Sequence, residues 1–195
     1  ARPDFPAKNV KEIVAMAKAS PGKLTFASWG VASTSHVGME TFRLAAGTDM
    51  LHVAYQGEAP AVTAMMAGQI DLMMLSTARA EVLRKEGKVK VYANTMATRS
   101  FVMRDIASLK EEGFPGVVVA NWFGIVAPAQ TPDAIVAKLS TEIAALVKSP
   151  EVLAQFRALG LDAAPAMSPA EFEKFMKNES LSWGGVIKRA NIRLD

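Results

Sequence analysis

The chain has 195 residues, half of them hydrophobic, with 22 Lys and Arg set against 19 Asp and Glu. This composition excludes a disordered chain and gives material for a core in one domain or two small ones. The net charge is only +3 and no basic face is interleaved with aromatics, so nucleic acid is not an expected partner.

Cysteine is absent, which removes disulfides, thiolate metal sites and cysteine nucleophiles. With His36 and His52 the only histidines, neither a histidine zinc site nor any other cofactor is expected. No apolar run has the length of a membrane span. The opening Ala1-Arg2-Pro3-Asp4-Phe5-Pro6 has no initiator methionine and no signal peptide, and reads as the middle of a protein.

Pro3 and Pro6 keep the start extended. A helix follows over 9–19, capped by Asn9, with Val10, Ile13, Val14 and Ala17 on one face and Ser20-Pro21-Gly22 as its stop. The alternation then continues. Strands are predicted over 24–27, 50–54, 70–75 and 89–94, and helices over 34–46, 61–67 and 77–85, with Gly47, Gly68 and Gly87 closing the helices. The continuous apolar run around Asp71 suits a parallel strand buried on both faces, with Asp71 itself structural. Strands alternating with helices predict an α/β layer fold with a mostly parallel sheet. Beyond it, 108–112 reads as a short helix and 117–127 as a long strand passing between two parts of a structure. After Pro132 the pattern is helix alone, with Ser149-Pro150 and Ser168-Pro169 as two starts and Glu171 placed for a capping box.

The chemistry concentrates at turns that follow strands. In Ser28 to His36, Gly30 and the hydroxyls of Ser33, Thr34 and Ser35 lead into a helix N-terminus, where free N–H groups and partial positive charge hold anions. The alternative is that the hydroxyls only cap the helix. His36 either touches a ligand or packs structurally, and at a helix N-terminus it stays neutral. The turn Tyr55 to Pro60 offers Tyr55 and the backbone of Gly57, Glu58 and Ala59 to a second carboxylate, with a plain helix start as the alternative. The Glu58 side chain should point away from an acidic ligand or bind an amine. Ser76 and Thr77 lie at the C-terminal end of a parallel strand, where open α/β sheets place ligands. Trp29 and Trp122 either wall a cleft or pack in the core, with packing the simpler reading. Ser35 and His36 are adjacent and do not face each other on a helix, and no Gly-x-Ser-x-Gly elbow is present, so a hydrolase using them is a poor reading.

Several stretches resemble one family in the right order. They are Pro6 to Glu12, Ser20 to Leu24, the turn into His36, His52 to Ala61, Ala67 to Met73, Trp122 to Pro132 and Trp183 to Lys188. Together they resemble the substrate-binding receptors of tripartite tricarboxylate transporters, the TctC or Bug receptors. The resemblance covers essentially the whole chain. It implies a two-lobed fold like the type II periplasmic binding proteins, closing on a small mono- or dicarboxylate and delivering it to a membrane permease, without catalysis. By that resemblance the location is periplasmic and the turn with Ser33, Thr34 and Ser35 is the carboxylate-binding loop; with the residue readings above, the expected ligand-binding set is Gly30, Ser33, Thr34, Ser35, His36, Tyr55, Gly57, Ala59 and Ser76. Residues 1–116 then form the second lobe. Residues 117–195 are a crossover strand and C-terminal helices belonging to a first lobe whose N-terminal part is missing.

The chain departs from the family pattern at Ala54 and Gln56, where proline and a basic residue are usual, and at Leu75-Ser76-Thr77, where an acidic residue often begins the turn. The missing lobe should leave apolar surface such as Leu139, Ile143 and Phe175 uncovered, which invites dimerisation. A sensor module read by a signalling partner, rather than by a permease, is the alternative function.

Overall fold

Asn9 accepts a hydrogen bond from the Glu12 N–H and starts α1 (Val10–Ala19), which buries Val10, Ile13 and Ala17. The chain then alternates through β1 (Thr25–Ser28), α2 (Thr34–Ala46), β2 (Leu51–Ala54), α3 (Glu58–Met66), β3 (Leu72–Met73) and α4 (Thr77–Lys85). This computed structural model describes residues 1–161 and 163–193; Asp162, Leu194 and Asp195, within the 117–195 stretch assigned above to the first lobe, lie outside the described residues.

The sheet is parallel throughout, in the order β2-β1-β3, with Thr25 opposite Leu51 and Phe26 opposite both His52 and Leu72. Successive side chains of a strand point to opposite faces. Phe26 therefore packs on the α2 side, against the rings of His36 and His52. Ala27 faces the other way, into a cluster with Ala61, Val62 and Met65 of α3 and Leu83 of α4. Each connection from strand through helix to the next parallel strand places a helix over the sheet.

Asp71 ties the N-terminal ends of two strands. Its carboxylate accepts from the Thr25 N–H (2.9 Å) and hydroxyl (3.1 Å) and from Arg2 Nη1 (3.0 Å), as its structural reading required. The helix bounds read from caps also hold: Ser33 caps α2, and Gly47, at φ 59°, stops it in the left-handed conformation.

Five predicted elements differ. The strand read over 70–75 is only Leu72–Met73, and the helix read over 61–67 is Glu58–Met66. Residues 89–94 are extended but form no strand; apart from an isolated bridge between Asn94 and Ser108, their backbone pairs with Ala1 at Lys90. Residues 108–112 make a turn rather than a helix, closed by the Glu112 N–H on the Ser108 carbonyl, with the Glu111 carboxylate accepting from Ser108. The apolar run 117–127 has no ladder among the described residues: the Val117 N–H closes a turn on the Phe114 carbonyl, Val119 pairs with Thr95, and the hydrophobic side chains from Trp122 onward are exposed.

The chain divides into two compact units, Ala1–Asn121 with Gly185–Asp195, and Trp122–Gly184. The second contains α5 (Asp133–Leu146), α6 (Pro150–Ala158) and the larger part of α7 (Pro169–Arg189). Ser149 caps α6, and Ser168 and Glu171 exchange the hydrogen bonds of a capping box at the start of α7. Trp122 stands edge-on to Phe172 and Phe175 and donates its indole N–H to Glu179 (3.2 Å). Among the described residues of 122–184 none is buried. Leu139 and Leu146 are exposed, and Ile143 and Phe175 are half-buried.

Candidate functional site

The C-terminal ends of β1, β2 and β3 each lead into a helix, so three helix N-termini gather at one edge of the sheet. The Tyr55 N–H donates to the Ser28 carbonyl (2.9 Å), which fixes the ends of β1 and β2 side by side. This is the edge of an open α/β sheet at which ligands sit.

The turn before α2 is held by a relay of hydroxyls. The Trp29 N–H donates to Ser35 Oγ (3.1 Å), Ser35 Oγ lies 3.0 Å from Ser33 Oγ, and Ser33 Oγ donates to the Gly30 carbonyl (2.7 Å). A hydroxyl has one proton to give. Ser33 spends its proton on Gly30, so Ser35 donates to Ser33, and neither has a proton left for a ligand. Ser33 also accepts from the His36 N–H (3.3 Å), as the helix cap. The turn needs unusual backbone: Gly30 lies at φ 150° and Ala32 at φ 59°.

What remains open here is backbone and one hydroxyl. Among the described residues the N–H groups of Val31, Thr34 and Ser35 have no protein acceptor, and neither does the half-exposed Thr34 hydroxyl. They are the free donors of this helix start.

His36 is buried, and its Nδ1 accepts the Ala32 N–H (3.1 Å), so any ring proton on the neutral side chain sits on Nε2. Its ring stacks on that of His52 with centroids 3.6 Å apart, and His52 Nε2 lies 2.7 Å from Ser28 Oγ. Burial holds His36 below its ordinary value. Burial first, then the neighbouring His36, lowers His52 to about 4, against a smaller upward pull from Glu40. The pair is therefore neutral near pH 7 and gives no cation to an anionic ligand.

The turn before α3 is more open. Gly57, at φ 112°, occupies the cap position without a capping side chain, and the N–H groups of Gly57, Glu58 and Ala59 have no acceptor among the described residues. Tyr55, half-buried, packs against the α3 and α4 cluster.

The turn before α4 is already filled. The Glu58 carboxylate accepts from the Ser76 N–H (3.2 Å) and hydroxyl (3.1 Å). A carboxylate at a helix N-terminus is in its favoured place. Glu58 thus points away from its own helix start, as an acidic ligand there would require, and its partner is Ser76. Sequence reasoning missed this pair, the Ser28–His52 contact and the hydroxyl relay. Glu58 and Ser76 are 18 positions apart, and no local pattern joins them.

Ser35 and His36 make their hydrogen bonds to Trp29, Ser33 and Ala32, not to each other, so they do not form a nucleophile–base pair. Among the described residues no three His, Asp or Glu side chains gather as a metal site, and no helix is long and apolar enough to cross a membrane.

A parallel α/β lobe with ligand-facing turns at its strand ends is the architecture of type II periplasmic binding proteins. The chain superposes on R. palustris Rpa4515 with adipate at a TM-score of 0.84 and 27% identity, covering 98% of this chain and 64% of that one. It superposes on MatC from Rhodopseudomonas palustris with bound malate at a TM-score of 0.79 and 30% identity, covering 96% and 64%. A family model described as the tripartite tricarboxylate transporter family receptor matches residues 1–192, and the chain belongs to that family. Protein BugT of Bordetella pertussis is 26% identical over 98% of this chain, and a UPF0065 protein of a Pseudomonas species is 30% identical over 92%. The chain spans 54% of the Pseudomonas relative and 59% of BugT.

Proposed function

We propose that this chain is the larger part of a periplasmic solute receptor that binds a small mono- or dicarboxylate and delivers it to a tripartite-type membrane permease. The observation that carries the reading is the pair of helix starts, at α2 and α3, that keep N–H groups without a protein acceptor among the described residues and are set side by side by the Tyr55–Ser28 hydrogen bond. Two anion-holding ends on one sheet edge suit the two carboxylates of a ligand such as the malate or adipate bound by the similar receptors. One carboxylate takes the N–H groups of Thr34 and Ser35 and the Thr34 hydroxyl. The other takes the N–H groups of Gly57 and Ala59, with Tyr55 beside them.

Within this set Gly30, Ser33 and His36 shape the first turn, and Ser76 holds the Glu58 carboxylate out of the site. Neutral donors and ordered water bind without any reacting group, which fits a receptor that must release its ligand unchanged. Closure of a second lobe over these turns completes the site. The relatives' greater length leaves room for the rest of that lobe outside this chain.

A thermal-shift screen of small carboxylates tests the reading on this chain and on the full-length gene product. The full-length protein is expected to be stabilised by one or a few mono- or dicarboxylates, and this chain much less. Stabilisation of neither, across the screen, overturns it.

A further inference from the structure

The two histidines are bonded into the turn 28–36 at two points. His36 Nδ1 accepts the Ala32 N–H (3.1 Å). His52 reaches over from β2 and sets Nε2 2.7 Å from Ser28 Oγ. The same hydroxyl is bonded to the carbonyl (2.9 Å) and the N–H (3.3 Å) of Gly30. Between these contacts the rings stack at 3.6 Å, with their planes 14° apart. One pair of imidazoles therefore grips both the strand end and the middle of the turn.

Ala32 is the residue that needs the grip. It lies at φ 59°, in the left-handed region, which costs an alanine and persists where neighbours hold it. Its N–H has His36 Nδ1 as its acceptor, and its neighbours Val31 and Thr34 carry N–H groups left without one among the described residues. The shape of Ala32 thus sets where the open donors of the α2 start point.

Nδ1 accepts only while the ring is neutral; the imidazolium carries N–H on both nitrogens. A proton gained at Nδ1 then faces the Ala32 N–H, donor against donor. The groups packed around the rings give the new charge little help. On α2 the charged groups are Glu40 and Arg43, and Arg43 already holds the Glu40 carboxylate (2.7 Å). On β1 they are the Phe26 ring, 5.0 Å from His52 and 6.3 Å from His36, and the Ser28 hydroxyl. On β2 His52 is the one titratable side chain. Two imidazolium rings at 3.6 Å repel, and His36 is among the causes that lower His52 to about 4, so the first proton falls to His36.

We propose that His36 is a positioning residue whose neutral Nδ1 latches the α2 turn in its carboxylate-binding shape, and that a proton entering the His36–His52 stack opens the latch and weakens ligand binding. This rests on the reading above that the turn seats a carboxylate, and it adds how that seat is regulated. A bare cation near the turn would strengthen anion binding. Here the sign is reversed, because the proton lands on the atom that holds the backbone in place.

The test has two arms, both on the full-length gene product. In the ligand-free protein, isotope-labelled at its alanine and histidine nitrogens, nuclear magnetic resonance should show a coupling across the Ala32 N–H···Nδ1 bond at neutral pH that vanishes as His36 takes its proton. A coupling that outlasts protonation, or that is absent throughout, overturns the proposal. In the second arm, titration calorimetry with malate and adipate follows affinity from about pH 7.5 to about pH 4.5 in the wild type and in His36→Asn. Asparagine offers an amide oxygen as an acceptor that does not titrate, and the ligand's own protonation is common to both proteins. Each referred to its own value at the upper pH, the wild type should lose about fivefold more affinity than the variant, the worth of one hydrogen bond. Equal pH dependence in the two proteins, or a steeper loss in the variant, overturns the proposal. The coupling is read without ligand and without the variant. Absence of malate and adipate binding at every pH therefore removes the carboxylate reading and leaves the coupling to decide the latch.

Discussion

The carboxylate of Glu58, in the first turn of α3, is held by the N–H and hydroxyl of Ser76 at the start of α4. Of three helix starts at the sheet edge, the protein's own acid occupies one. This relationship sets the charge of the site. Glu58→Gln keeps the shape and removes a negative charge beside the two open helix ends. Carboxylate affinity of the full-length protein should rise several-fold by titration calorimetry, while stability falls by about 1 kcal/mol with the loss of a charged cap. Weaker binding would show that Glu58 holds the ligand rather than standing aside from it.

Ser33 and Thr34 should separate in mutagenesis. Ser33→Ala removes the α2 cap and the bond to Gly30, so a loss of about 1 kcal/mol in stability is expected by denaturant unfolding, with weaker binding through a loosened turn. Thr34→Val removes only a free hydroxyl. It should leave the unfolding midpoint within about 0.5 kcal/mol of wild type and lower affinity directly.

The stacked histidines give a pH dependence with a defined sign. In the unfolded chain His52 titrates near its ordinary 6.5, and in the folded protein near 4. Between these values the unfolded state binds more protons, so stability rises with pH. The contribution is complete above about pH 6.5 and is lost as pH falls toward 4. His36, shifted in the same direction, adds to the slope, and Glu40 opposes it. The thermal midpoint should fall across this window, and His52→Gln should flatten the curve.

Asp71 accepts from Arg2 and twice from Thr25, at the opposite end of the strands from the site. Asp71→Asn removes the charge from these bonds and should destabilise by about 2 kcal/mol in urea unfolding, with carboxylate affinity unchanged. An affinity loss as large as the stability loss would mean that the two ends of the sheet are coupled.

The elements that sequence reading placed best are those whose signals are local. Ser33 and Gly47 bracket α2 because a capping hydroxyl and a left-handed glycine act within their own turn. Residues 89–94 carry the alternation of a strand, but a ladder needs a neighbour, and among the described residues they find only Ala1 and the bridge to Ser108. The turn at 28–36 was legible as a helix start with free N–H groups. Which of its hydroxyls remains free was not, since that follows from the direction of each proton in the Trp29–Ser35–Ser33–Gly30 relay. The Glu58–Ser76 bond depends on β2 and β3 flanking β1, a fact of topology rather than of spacing.

Titration calorimetry of malate and adipate against the full-length gene product, wild type and Thr34→Val, tests the central claim most directly. The account predicts saturable binding of a dicarboxylate by the wild type, weakened by about tenfold when the Thr34 hydroxyl is lost, in keeping with one charge-assisted hydrogen bond. Dicarboxylate binding of equal strength in the two proteins would contradict the assignment of the α2 turn as the carboxylate seat.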